Sequence, residues 1–132
     1  MGQQQLLLLV LGIVIVGLAV VVGIQAFDSG AQQAEADALT MDAMGIVNAA
    51  KAWKEKPAAF GGGGDETDWS NFTHADISLA ATHTTANTNA SGCTSDVSTP
   101  ANLVVTCVGT DKTATTTFVF ATELISTVIS DT

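Results

Sequence analysis

From residue 6 to residue 24 every position is apolar or glycine, and three glutamines, Gln3, Gln4 and Gln5, lead into the run. These 19 positions approach the ~20 that a helix needs to cross a hydrocarbon core of ~30 Å. A secretory signal has a basic start and an apolar stretch of only ~7–15 residues. Here the start is neutral and the run longer, so the segment reads as a retained helix. The stretch "DSGAQQAEADALTMDAMGIVNAAKAWKEKP" follows, where Leu39, Ala43, Ile46, Ala50 and Trp53 recur at helical spacing and form one apolar stripe. Glu35, Asp37 and Asp42 come early and Lys51, Lys54 and Lys56 late, an order that complements a helix dipole. Pro57 and "AAFGGGG" end the pattern. Ser29 with Gln32 resembles a capping box and allows a break near residues 28–30. The preferred reading is one long helix over about residues 3–56, roughly 80 Å long.

Beyond "GGGGDETDW", a loop, the period changes to two. In "ISLAATHT", Ile77, Leu79 and Ala81 alternate with Ser78, Ala80 and Thr82. "NLVVTCV" and "TTTFVFA", separated by "GTDKTA", read as a hairpin, and "LISTVI" as a further strand. "NTNASGCTSDVSTP" reads as a polar connection. The expected fold class is α+β: a long N-terminal helix, hydrophobic and then amphipathic, packed on a small antiparallel sheet with Trp53 as an anchor. Four segments follow: residues 1–27, a hydrophobic membrane or filament-core helix; 28–56, an amphipathic helix; 57–72, a Gly-rich loop; and 73–132, a β-sheet head.

Gly12, Gly17 and Gly23 interrupt the apolar run at spacings of five and six, so no GxxxG pair exists. Each Val or Ile costs up to ~0.7 kcal/mol of helix propensity against Ala, and each Gly about 1. Lipid enforces a helix, because backbone groups there have no other partner. Outside lipid, residues 12–23 form only a marginal helix.

Composition narrows the function. The 132-residue chain carries a formal charge of −9 and four basic residues, all lysine. Nucleic acid is therefore a poor partner, since phosphate binding needs clustered Lys and Arg. Cys93 and Cys107 are too few for a zinc site. They suit one disulfide in an oxidising compartment, the alternative being two reduced, buried thiols. A bond would close a loop of about 15 residues, which the chain-entropy model values at ~3 kcal/mol.

The layout resembles a type IV pilin. The likeness rests on the apolar helix "LLLLVLGIVIVGLAVVVGI", its amphipathic continuation, the small sheet and the cysteine pair in the C-terminal half. It covers the whole chain in architecture and the first 27 residues in anything like sequence. The resemblance implies a structural subunit held in the inner membrane, then drawn by pilus assembly machinery into a homopolymeric extracellular filament, with no catalysis and no cofactor. Leu6, Leu9, Leu11, Ile13, Val16, Leu18, Val21 and Ile24 would pack the filament core. Members of that family carry Glu at the fifth mature position. Counted from Met1, that place holds Gln5, and Gln3, Gln4 and Gln5 would set subunit register by amide hydrogen bonds or serve as a polar cap at the membrane surface. The helix-breaking Pro of the family is absent, which leaves Gly17 and Gly23 as the places where helix melts in the filament. The alternatives are a single-pass membrane-anchored surface binding domain and a minor pseudopilin of a type II secretion-like machine.

Other candidate chemistry is thin. His74 and Asp76 share a face if extended, with His83 nearby, yet no third ligand or catalytic partner is identifiable. Asp65, Glu66 and Asp68 lack the spacing of a calcium loop and read as solvated acid. "GGGGD" lacks the Lys of a phosphate loop. Asn71 and Asn89 lie in sequons and offer glycosylation acceptors where the host has the machinery.

Overall fold

The computed structural model describes residues 2–64, 66–78, 92–97 and 99–132, with His74 described by its backbone alone. One helix, α1 (Gly2–Glu55), is followed by short 3-10 turns at Ala58–Phe60 and His74–Ile77 and then by four strands. The strands are β1 (Gly92–Asp96), β2 (Asn102–Val108), β3 (Lys112–Val119) and β4 (Ile125–Asp131). They form an antiparallel meander in the order β1-β2-β3-β4. The expected α+β fold, a long N-terminal helix packed on a small antiparallel sheet, is the observed one. Two compact units divide the chain, Met1–Gln33 and Ala34–Thr132.

The helix does not break at residues 28–30. Ser29 Oγ donates to the carbonyl of Gln25 at 3.0 Å, and Gln32 Nε2 donates to Asp28 Oδ2 at 3.3 Å. Both are intrahelical contacts, so the capping-box resemblance is spent inside a helix that has already begun. Glu35, Asp37 and Asp42 accordingly lie in mid-helix rather than in a first turn, and of the lysines only Lys54 stands in the last turn.

In the second unit the predicted stripe is buried: Leu39, Ala43, Ile46, Ala50 and Trp53, joined by Val47. Opposite lie Leu103, Val105 and Cys107 of β2 and Ala114, Thr116 and Phe118 of β3, alternating with half-exposed neighbours as a one-sided sheet requires. Four aromatics complete the core around Trp69. Its ring centroid lies 5.0 Å from Phe120, 5.2 Å from Phe118, 5.5 Å from Phe72 and 6.3 Å from Trp53. Trp69 comes from the loop that the sequence left featureless.

The glycine run does more than stop the helix. Gly63 N–H donates to the carbonyl of Trp53 and Gly64 N–H to that of Lys56, both at 2.9 Å, so the run folds back to satisfy the helix's last carbonyls. A Cβ on Gly63 would lie 2.6 Å from Trp53 Cη2, which only glycine avoids.

Two expectations in the β-region are corrected. Ile77 does not begin a strand: it ends the 3-10 turn His74–Ile77, and Ser78 follows in the left-handed region at φ 61°. Asp76 Oδ2 accepts from Thr73 N–H at 2.7 Å and from Thr73 Oγ1 at 2.8 Å, a local cap that favours the turn over an extended chain. The remainder of "ISLAATHT" lies outside the described residues. The polar connection is not all loop either, because Gly92–Asp96 pairs with β2 and Cys93 stands directly opposite Cys107. The two are disulfide-bonded. The low strand propensity of "GCTSD" is overridden by an adjacent partner and a covalent cross-strand link.

Candidate functional site

In the unit Met1–Gln33, α1 is apolar on every side over residues 6–24. Leu6, Leu9, Leu11, Ile13, Val16, Leu18, Val21 and Ile24 are all half or more exposed, and so are Leu7, Leu8, Val10, Val14, Ile15, Val20 and Val22. No face separates the eight predicted packing residues from their neighbours. A helix apolar all round is one that lies buried in lipid or among other helices. By length and composition it is long and apolar enough to cross a membrane. Phe27, 84% exposed, extends the apolar surface past the predicted run. Gln3, Gln4 and Gln5 occupy the first turns of α1, exposed. Gly17 and Gly23 lie in unbroken helix, and a Cβ at either would meet nothing within 4 Å. In the single chain their backbone is helical.

The second unit ties its loops to its own stretch of helix with charged contacts. The β3–β4 turn carries Glu123, in the left-handed region at φ 55°. Its carboxylate pairs with Lys51 at 3.3 Å and Lys54 at 3.2 Å. Lys54 Nζ also donates to the carbonyl of Phe120 at 2.6 Å and sits 4.3 Å from the centre of its ring. Hydrogen bonds from Lys54 and then Lys51 hold the Glu123 carboxyl below its ordinary value of 4.5. The contribution of Glu123 is therefore complete above about pH 4.5 and is lost as pH falls through the lowered value. Glu123→Gln should lower the melting temperature modestly at neutral pH, since exposed pairs are worth little. In strong acid, where the carboxyl is already protonated, the two proteins should melt together. Thermal melts of both at the two pH values check this.

At the other end of the sheet, the N–H groups of Thr110 and Asp111 donate to the Glu35 carboxylate, Asp111 at 3.1 Å to Oε2. Gly109 allows that approach, because a Cβ there would collide with Glu35 and lie 3.0 Å from Leu39 Cδ1. Lys112 and Asp131 pair across β3 and β4, which raises the lysine and lowers the carboxyl. Nothing in the sequence signals the role of Glu35, since its partners are backbone amides some 75 positions away.

Among the described residues the other predicted candidates do not converge. Asp68 accepts from Ser70 N–H and Ser70 Oγ, and these bonds lower its pKa. Asp76 is engaged by Thr73. Among the described residues no three His, Cys, Asp or Glu side chains gather as metal ligands. Asn71 is exposed, next to buried Phe72. Asp65, His83 and Asn89 lie outside the described residues.

The fold defines the chain as an α+β protein with an apolar N-terminal helix and a disulfide-bonded sheet. No family model, no curated protein and no solved structure matches it.

Proposed function

We propose that the chain is the structural subunit of an extracellular, type IV pilus-like filament. It polymerises with copies of itself through the apolar part of α1, after a period as an inner-membrane protein handled by pilus assembly machinery. One observation carries this reading: the apolar surface at residues 6–24 surrounds the helix completely, and the same helix runs on into the core stripe of the sheet unit. A plain anchor needs the first property only. The disulfide supports an oxidising location, and the role needs no catalysis. Cells expressing the chain should shed filaments visible by electron microscopy, and cells lacking it should not. Membranes that hold the chain only as a monomer would favour the anchored binding domain instead.

Within that reading, residues 17–23 lose helix on assembly. Melting there costs little, because "LAVVV" and its flanking glycines have low helix propensity. Extended residues rise about 3.3 Å each in place of 1.5 Å, which lengthens the subunit. Gly17→Ala with Gly23→Ala should therefore give a stiffer or unassembled fibre, read by pulling single filaments. Unchanged extensibility would count against melting.

A further inference from the structure

The strand β4 closes the order of the sheet and has no neighbour on its outer side among the described residues. Edge strands are commonly guarded by Lys, Pro, a bulge or short length. This one is seven residues of "ISTVISD" in unbroken register with β3. It has no Lys and no Pro, and its single charge, Asp131, is paired with Lys112. Apolar surface flanks the edge: Leu124 and Val128 are each 64% exposed and Ile129 40%.

We infer that β4 is a self-association edge, pairing antiparallel with β4 of a second copy about a two-fold axis at Thr127, to make one continuous eight-stranded sheet. The strand's own sequence selects a second copy as occupant. Residues on the same sheet face must meet, so the axis has to pass through a residue and not between two. At Thr127 it sets Ile125 against the second copy's Ile129, twice, on the inner face where Ile125 already packs on the core. The two Thr127 hydroxyls meet and continue the Thr116 to Thr127 contact of 3.0 Å across the joint. On the outer face Val128 lies against the second copy's Ser126. Asp131 lies beyond the Ile125–Ile129 pairs and keeps its own Lys112, so no unpaired carboxylate enters the joint. An axis at Val128 would set Ile125 against Asp131 and desolvate that carboxylate beside an apolar side chain.

Such an interface is isologous and closes at two copies. It involves none of residues 6–24 and stands whether or not the chain polymerises. In a filament it joins heads laterally, from one fibre to the next.

The test uses the full chain in excess detergent, one chain per micelle, at about 100 μM, where a dimer with a tighter dissociation constant is mostly formed. Thr127→Cys should crosslink to a covalent dimer under a mild copper-phenanthroline oxidant, while Val128→Cys should not, because its opposite residue is Ser126. Adding Ile129→Lys to the Thr127→Cys chain should cut the yield by roughly tenfold or more, by placing a charge against Ile125. The unmodified chain should sediment as a dimer under the same conditions. Equal crosslinking at 127 and 128, or a monomeric unmodified chain, overturns the inference.

Discussion

Leu9→Asp, or Val16→Asp, should abolish filaments while the disulfide-bonded head stays folded. Residues 6–24 include fifteen Leu, Ile and Val side chains, each worth about 0.3–0.6 kcal/mol towards membrane insertion. One central Asp costs about 2.5–3.5 kcal/mol on the same scale. Insertion therefore survives, since the remaining apolar residues outweigh a single charge. A bundle of identical helices is less forgiving. Every subunit would bring a carboxylate into a dry interior with no basic partner, because residues 2–27 contain no Lys or Arg. The head should be indifferent, as its core is built from Leu39 onward. Wild-type filament yield from either variant would contradict the filament reading. Near-ultraviolet circular dichroism of the purified variant reports whether the head is intact.

Trp69→Ala should be the most damaging single change in the head. The side chain is fully buried and touches aromatics from the helix, the loop and β3. Truncating a buried Trp typically costs about 3–5 kcal/mol, against a total of roughly 5–15 for a domain. For a unit of about 100 residues that corresponds to a fall in Tm of roughly 15–25 °C. Trp69→Phe should be far milder. Trp69 Nε1 is buried without a hydrogen-bond partner among the described residues, so removing it relieves a desolvated donor and offsets part of the lost packing. Calorimetry of the two variants separates these effects. Equal losses would show that the indole N–H is satisfied in solution.

The elements governed by one strong period were legible in the sequence. The stripe from Leu39 to Trp53 repeats a helical pattern and β2 and β3 a two-residue one, while the apolar run is legible by its length and uniform apolarity and β4 by its β-branched residues. What escaped has no period. Trp69 stands alone among Gly, Asp, Thr and Ser, and only the packing of its ring against Phe118 and Phe120 reveals it as the centre of the core. β1 is polar and short, and it becomes a strand because Cys93 faces Cys107. The alternation at Ile77 was misleading. "THAD", with a hydroxyl at Thr73 and a carboxylate at Asp76, carried the contrary capping signal. Of the candidate polymerisation surface, the sequence showed its length and its apolarity. It could not rank the faces, because the exposure of Leu7, Leu8 and Val10 matches that of Leu6, Leu9 and Leu11.

Helical reconstruction of filaments grown from this chain tests the central claim most directly. The expected map has residues 6–24 of neighbouring subunits bundled along the axis, with the sheet units outside and Cys93 bonded to Cys107 at the periphery. A map with the sheet units forming the core and the apolar helices left in micelles or lipid would contradict it.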